Sequence, residues 1–233
     1  MIKLFRFIWF LFLSLPKTFF FNFKVLPLSK AIRFPILVGW NVKIVASKKG
    51  VILFPNDCKP LMLRIGFGGS RSVPTDHKGQ ISIYGGKLSI EGRCCLAAGS
   101  TLDCSGNMRI GKNFSTNKNA FISCSKDIFI GENVMLGWNV QIYDASGHTV
   151  YHKGIAKNSQ APIKVGNHVW LCSYATLLKG AEIGDGSIVA WRSLVTKAFP
   201  QENVLVAGNP AVIKCNEMSW GQYDKNAERE ANK

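Results

Sequence analysis

The stretch that decides the fold runs from residue 165 to residue 197 and reads VGNHVWLCSYATLLKGAEIGDGSIVAWRSLVTK. An aliphatic residue recurs at every sixth position, and the series is Val165, Leu171, Leu177, Ile183, Val189 and Val195. A period of six matches neither the 3.6-residue repeat of a helix nor the two-residue alternation of a plain strand. It is typical of a short strand followed by a tight turn, repeated three times per coil. The stretch therefore predicts an all-β fold, a parallel β-helix of hexapeptide repeats with internal aliphatic columns.

Upstream of this stretch the same rhythm continues with a longer round. Ile90, Ile110 and Ile130 are 20 residues apart, which is three hexads plus two extra residues per coil. In this register Cys104 and Cys124 occupy the same site in successive coils, so we interpret them as small buried filler. The seven cysteines of the chain include no CxxC pair, and their odd number favours a reducing cytosol.

The N-terminal region differs from the repeats in charge and composition. The chain carries a formal net charge of +15, and residues 1–56 contain nine Lys or Arg and no Asp or Glu. Basic residues interleaved with aromatic ones suit an anionic membrane surface, and no helix-turn-helix or zinc-finger pattern favours nucleic acid. The uncharged run Phe7–Leu15 is shorter than the roughly 20 residues that a membrane span needs, and Pro16 and Lys17 follow it. We expect an arm lying on the membrane; a short signal anchor and an arm packed on protein are the alternatives.

The hexad pattern lapses between Ile142 and Ile163, where residues 143–154 read YDASGHTVYHKG. An insertion at a solenoid corner is a common place for a functional loop, and we predict one at about 147–162. His148 and His152 suggest a metal, but a zinc site of the γ-type carbonic anhydrase kind needs three histidines. The only histidine upstream is His77, far from the pair in sequence. The sequence therefore predicts no metal site.

Residues of about 80 to 215 resemble the hexapeptide-repeat acyltransferases, especially galactoside, maltose and capsule-type polysaccharide O-acetyltransferases. The resemblance rests on GHTVYH at 147–152, on the repeat stretch and on VLVAGNPAVIK at 204–214. Residues 14–44 also look like the arm of the polysaccharide-associated members. The resemblance implies a left-handed β-helix, acetyl-CoA as donor, and a homotrimer with its active sites between subunits.

The same resemblance places the catalytic histidine at His148. A neutral imidazole at this position takes the proton of an attacking hydroxyl and returns one to the departing thiolate, so no covalent intermediate is required. The backbone N–H of Ser173 matches the donor that stabilises the oxyanion in similar enzymes.

The other predicted site residues fall into two groups. The acceptor group is Asn117, Asp144 and His152, with Asn119 as a close competitor of Asn117. The coenzyme A group is Ser173, Trp191, Thr196, Lys197 and Lys214. Asp144 could orient His148, bind a sugar hydroxyl or only end a coil, and Trp191 replaces a small residue of the relatives, which leaves the contacts there open.

The sequence therefore predicts an acetyl-CoA-dependent O-acetyltransferase acting on a saccharide hydroxyl, in a surface polysaccharide or a lipid-linked glycan precursor. Its place is the cytoplasmic face of the membrane, with peripheral association. We expect an arm at 1–56, the β-helix at 57–215 and a polar tail at 216–233. The alternatives are an N-acetyltransferase of an amino sugar or sugar nucleotide, a non-catalytic β-helix scaffold, and a γ-type carbonic anhydrase.

Overall fold

Three parallel sheets, which we call A, B and C, form the body of the protein. The computed structural model describes residues 2–46, 50–75 and 77–221. Sheet A contains β1 (Ile36–Val38), β4 (Leu63–Ile65), β7 (Cys94–Leu96), β10 (Phe114–Thr116), β13 (Met135–Leu136), β18 (Trp170–Leu171), β21 (Ile188–Val189), β24 (Leu205–Gly208) and the antiparallel β25 (Ala211–Cys215). Sheet B contains β2 (Lys43–Ala46), β5 (Gln80–Ile83), β8 (Thr101–Cys104), β11 (Phe121–Cys124), β14 (Gln141–Tyr143), β19 (Thr176–Leu178) and β22 (Leu194–Val195). Sheet C contains β3 (Val51–Leu53), β6 (Lys87–Ile90), β9 (Asn107–Ile110), β12 (Asp127–Ile130), β17 (Ile163–Val165), β20 (Glu182–Ile183) and β23 (Ala198–Phe199).

The chain visits A, B and C in turn, so each coil stacks on the one before. Ile90 pairs with Ile110, Ile110 with Ile130, Ile130 with Val165 and Val165 with Ile183. These side chains are at most 1% exposed, and a buried aliphatic side chain contributes about 1.5–3 kcal/mol through removal from water. The predicted all-β fold, a left-handed parallel β-helix with internal aliphatic columns, is confirmed.

The corners between sheets need backbone with positive φ, and asparagine supplies it repeatedly. Asn113 and Asn133 both have φ of 57° at the corner between sheets C and A, and the amide of Asn113 donates to Oδ1 of Asn133 at 3.0 Å. Asparagine tolerates this conformation better than most residues. His168 takes the same kind of corner position, with φ of 52°, so its histidine serves a turn.

The first coil begins earlier than the sequence suggested. We expected a separate arm over 1–56 and the β-helix over 57–215, but β1, β2 and β3 already pair with the second coil through β4, β5 and β6. The boundary was wrong because the irregular connections of this coil hide its hexads. The helical segment before the β-helix is α1 (Ile2–Val25), followed by the short α2 (Leu28–Ala31).

Helix α1 covers the exposed edge of sheet A. Ser14, Thr18 and Asn22 recur every four residues on one helix face and are at most 4% exposed. Asn22 accepts from the N–H of Ile36 at 3.1 Å and donates to its carbonyl at 2.8 Å, as a neighbouring strand would. Thr18 accepts from the N–H of Val38 at 3.1 Å. The helix thereby protects a strand edge that would otherwise pair with another chain.

The substitution Asn22→Ala should lower the free energy of unfolding by about 2–3 kcal/mol, because it leaves the buried N–H and carbonyl of Ile36 without partners. Urea denaturation followed by circular dichroism measures the effect. The matched control is Lys24→Ala, on the exposed side of the same helix, which should change the stability by less than about 0.5 kcal/mol. Equal stability of the two variants would show that α1 does not protect the edge.

The polar tail predicted at 216–233 is described only as far as residue 221. Within that part, the Trp220 ring stacks on His168 with 4.3 Å between ring centroids, and its Nε1 donates to the His168 carbonyl at 2.7 Å. Residues 222–233 lie outside the described residues.

Candidate active site

The interruption at residues 147–162 is a hairpin standing on the corner between sheets B and C. Its strands are β15 (Tyr151–His152) and β16 (Ile155–Ala156), which are antiparallel. The base of the hairpin is closed by the pairing of Ala145 with Gln160 and by a hydrogen bond from the N–H of Ala161 to the carbonyl of Asp144 at 3.0 Å. The hairpin is therefore held to the β-helix at its base while its tip is in solvent.

Both histidines of the hairpin are exposed. His148 lies between the closed base and β15, and His152 lies in β15 itself, opposite Ile155. An exposed imidazole can exchange protons with a bound substrate, as a general base must. The structure thus leaves both histidines accessible.

A groove of about 840 Å³ lies on the outer face of sheet B at the base of the hairpin, and its lining includes Gly147, the residue before His148. Gly147 and Thr196 line it near the hairpin, and Phe121 and Tyr143 form an aromatic wall with ring centroids 5.6 Å apart. The Tyr143 hydroxyl bonds to Gln141, and burial raises the pKa of this phenol, so it stays protonated at neutral pH. Aromatic surface with a few hydroxyl groups is a suitable lining for a saccharide.

Asp144 does not face this groove, which corrects the expectation that it binds the acceptor or orients His148. Its side chain is 0% exposed, and its two carboxylate oxygens accept from the N–H groups of Ser125 and Lys126, both at 2.7 Å. The carboxylate therefore holds the preceding coil corner beneath the hairpin.

A second group of predicted residues lies at the other end of the sheet B strands, at the corner between sheets A and B. Ser173 is 5% exposed and lines a cavity of about 230 Å³ together with Asn117, Trp138 and Trp170. Gly137 is required there, because a Cβ on it would lie 2.5 Å from the Ser173 nitrogen. Asn117, which we predicted to bind the acceptor, lies at this corner and not at the corner that carries His148.

The side-chain oxygen of Asn117 is already used within the chain. Its Oδ1 accepts from the N–H groups of Ser70 and Lys118, both at 2.8 Å. The competitor Asn119 has φ of 60°, and its Oδ1 accepts from the Thr75 hydroxyl at 2.6 Å. Both asparagines thus hold the irregular segment before β5 against the corner.

An aromatic cluster at this corner was missed in the sequence. Trp191 is 52% exposed, and its ring centroid lies 5.6 Å from that of Trp138 and 5.1 Å from that of Tyr174. The ladder pattern places Trp138, Ser173 and Trp191 at one corner position in three successive coils. A search of each corner position for recurring aromatics, not only of the aliphatic columns, would have found it.

The remaining residues predicted for coenzyme A are spread over the surface. Thr196 and Lys197 are exposed at the corner between sheets B and C, where the Lys197 Nζ lies 5.5 Å from the centroid of the Phe199 ring. Lys214 is exposed on β25, at the C-terminal end of sheet A. Within one chain, the predicted residues are therefore divided between the two corners that flank sheet B and do not form one pocket.

Cys172 lies next to Ser173 at the corner between sheets A and B. Burial raises the pKa of the Cys172 thiol to about 11, so this neighbour of Ser173 remains a neutral thiol at pH 7. Within residues 2–46, 50–75 and 77–221, no cluster of three or more His, Cys, Asp or Glu side chains could hold a metal ion.

The fold and the histidine hairpin define a class: a hexapeptide-repeat parallel β-helix whose corner insertion carries an accessible histidine. No protein-family model matches the chain. The chain is 38% identical over 110 residues to galactoside O-acetyltransferase of Escherichia coli (strain K12), which covers 46% of this chain and 53% of that protein. It is 34% identical over 124 residues to galactoside O-acetyltransferase of Lactococcus lactis subsp. lactis (strain IL1403), which covers 51% of this chain and 58% of that protein. The predicted resemblance to hexapeptide-repeat O-acetyltransferases is confirmed.

The similarity to the galactoside O-acetyltransferases covers only part of their sequences. The chain spans about half the length of the curated relatives it matches. Among solved structures, the polySia specific acetyltransferase NeuO superposes with a TM-score of 0.53 over 82% of this chain and 97% of that chain, at 19% sequence identity. At that identity the likeness concerns the fold alone.

Proposed function

We propose that this protein is an acetyltransferase that moves the acetyl group of acetyl-CoA to a hydroxyl of a saccharide, in a surface polysaccharide or a lipid-linked glycan precursor. The observation that carries the proposal is the GHTVYH hairpin, in which the exposed His148 directly follows Gly147, a lining residue of the aromatic-walled groove. The similarity to galactoside O-acetyltransferases over about half their length supports it.

The proposed chemistry needs only one histidine and one backbone donor. The imidazole of His148 takes the hydroxyl proton while the oxygen attacks the thioester carbonyl carbon. The Ser173 N–H stabilises the negative oxygen of the tetrahedral intermediate. When the C–S bond breaks, the imidazolium returns the proton to the thiolate.

An acetyl-transfer assay with two acceptors tests the reaction. We expect loss of acetyl-CoA with an oligosaccharide that has free hydroxyls, and a product that mild alkali cleaves because it is an ester. An alkali-stable product formed only from an amino sugar would identify an N-acetyltransferase instead. Mass spectrometry of surface glycans with and without this protein would then identify the natural acceptor by its missing acetyl group.

We propose that the complete site lies between subunits of a homotrimer. The supporting observation is that His148 and Ser173 lie at the two corners that flank the strands of sheet B, so a neighbouring subunit would have to bring the two parts of the site together. Trp191 and Met135 leave apolar surface exposed near the Ser173 corner, as a subunit contact would use.

Light scattering coupled to size exclusion should give three times the chain mass of 25.7 kDa. The substitution Trp191→Glu should shift the protein toward smaller species, because a carboxylate cannot be buried in such a contact without a partner. The same change at Val51, an exposed residue of β3 in the first coil, is the control. A monomeric protein with full activity would rule out a shared site.

For Lys197 we predict a role in binding the donor. The substitution Lys197→Ala should raise the KM for acetyl-CoA about tenfold, because it removes a cation that can pair with a phosphate, and should change the KM for the saccharide less. Steady-state kinetics with each substrate varied measures both. Lys87→Ala, in β6 near the opposite end of sheet C, is the control for loss of one exposed charge. An effect confined to the saccharide KM would remove Lys197 from the donor site.

We further propose that helix α1 attaches the protein peripherally to the cytoplasmic face of the membrane. Its 18-residue segment Ile8–Val25 is apolar and long enough to cross a membrane, and the helix continues through Pro16. One face of α1 is docked on β1, however, while Phe5, Phe12 and Phe20 are 61–72% exposed on the rest. An amphipathic helix with basic residues and no acidic ones suits the interface of an anionic membrane.

The double substitution Phe12→Ser and Phe20→Ser should abolish sedimentation with vesicles that contain phosphatidylglycerol, because the two rings supply apolar area for insertion. Deletion of residues 1–50 would not isolate the effect of α1, because it would also remove strands β1 and β2. Val212→Ser, an exposed apolar residue at the opposite end, is the control. Unchanged sedimentation of the double variant would refute the attachment.

A further inference from the structure

A basic pocket lies at the corner between sheets C and A, on the early coils. It has a volume of about 690 Å³, and we define it by four cationic side chains: Lys59, Arg64, Arg93 and Lys112. Asp57 and Glu91 are the acidic residues of its lining. Neither His148 nor the residues predicted for coenzyme A line this pocket, so it is separate from the candidate active site.

The charges of the pocket are only partly neutralised. Glu91 is bonded to Arg109, which lies outside the lining, and Lys112 is 3.4 Å from Glu132. The side chains of Lys59 and Arg93 are exposed, and within the described part of the chain neither forms a salt bridge. Positive charge therefore remains in the pocket for an external anion.

Arg64 gives more specific evidence that the pocket binds an anion. It lies on the outer face of sheet A in β4, and its Nε is buried without a hydrogen-bond partner. A buried donor without an acceptor is destabilising, and a charged one more so. An anion in the pocket would supply the acceptor.

We propose that the basic pocket binds a phosphate group of a phosphate ester or diphosphate. The planar guanidinium groups of Arg64 and Arg93 can each donate two parallel hydrogen bonds to phosphate oxygens, and Lys59 and Lys112 add point charges. A carboxylate ligand has two oxygens and would pair with only one guanidinium group in this way, whereas a phosphate or diphosphate presents enough oxygens for several cations.

The pocket adjoins α2, which directly follows the helix α1 that we assign to the membrane surface. The Arg33 guanidinium donates to the Asn56 carbonyl at 2.6 Å, and Lys30 donates to the carbonyl of Phe54, so α2 is tied to the chain segment that forms one pocket wall. Leu28 and Ile32, in and beside α2, are 68% and 60% exposed. The phosphate can therefore come from a lipid head group or from a phosphorylated saccharide that approaches from solution.

The test uses the full chain and two probes. Isothermal titration calorimetry with inorganic diphosphate reports the soluble source. Flotation with phosphatidylcholine vesicles containing either phosphatidic acid or phosphatidylglycerol, matched for total charge, reports the lipid source, because only phosphatidic acid presents a phosphate monoester. The variants are the double substitution Lys59→Gln with Arg93→Gln, the control Lys87→Gln, and Asp57→Asn.

We expect the double variant to weaken diphosphate binding about tenfold or more, or to lose the preference for phosphatidic acid, while Lys87→Gln changes neither. The first result identifies a soluble ligand and the second a lipid.

Asp57→Asn removes a repelling carboxylate and should tighten binding of the same probe, a gain that misfolding cannot produce. The proposal is overturned if the double variant and Lys87→Gln behave alike with both probes, or if Asp57→Asn leaves binding unchanged. Acetyl transfer to a soluble saccharide should be normal in all of these variants, which separates this test from that of the proposed function.

Discussion

The substitution His148→Ala should reduce the turnover number by about 10²–10⁴-fold. An alcohol is a weak nucleophile at neutral pH, and the substitution removes the imidazole that we propose takes its proton. The effect should appear in kcat and in kcat/KM alike, because proton transfer occurs in the transition state and not in the bound ground state. Stability should change by less than about 0.5 kcal/mol, since His148 is exposed.

The control for this experiment is His152→Ala in the same hairpin. His152 is also exposed, and we place it on the acceptor side, so its loss should affect the saccharide KM more than kcat. The two variants should melt at the same temperature. A near-normal turnover number for His148→Ala, or a larger loss for His152→Ala, would contradict the assignment of the general base.

Asp144→Ala should lower the free energy of unfolding by about 3–5 kcal/mol. The substitution removes a fully buried carboxylate and leaves the N–H groups of Ser125 and Lys126 without acceptors. Hydrogen bonds to a charged acceptor are worth about 1.5–3 kcal/mol each, and both are lost together. Activity should fall as well, because the corner under the hairpin of His148 loses its support.

Thermal and urea unfolding measure this loss, and Asp144→Asn is the informative partner variant. Asparagine has the same shape but keeps only one acceptor oxygen, so we expect a stability between those of Asp144→Ala and the natural chain. An acceptor-binding Asp144 would give the opposite pattern, with unchanged unfolding and a raised saccharide KM. That outcome would restore the role first expected from the sequence.

The aliphatic columns could be predicted from the sequence because they repeat at a fixed interval. Every sixth residue from Val165 to Val195 had to point inward if the chain formed coils, and the spacing of Ile90, Ile110 and Ile130 predicted the longer round. The first coil was missed because the connections before β4 and β5 interrupt its hexads. The motif GHTVYH indicated the histidine hairpin, since it breaks a pattern that is otherwise regular.

The roles of individual polar residues could not be read in this way. Asp144 shares its column with Cys104 and Cys124, and nothing in the spacing showed that its carboxylate would bind the N–H groups of another coil. The sequence did not show what Ser14, Thr18 and Asn22 bind. In the structure Thr18 and Asn22 bind the edge strand β1, and Ser14 accepts from the N–H of Trp40, two residues beyond β1. These partners are separated by many residues, so only the folded chain brings them together.

The sequence by itself therefore determined the repeating architecture and the position of the histidine insertion, because both follow from local periodicity and its interruption. The tertiary structure decided where the first coil begins and which face of α1 remains exposed. It also decided that His148 and Ser173 lie at the two corners that flank sheet B. It also brought Lys59, Arg64 and Arg93 around one pocket. The physical reason is that stacking sets neighbours by coil and corner, and residues of different coils meet at distances along the chain that no local pattern records.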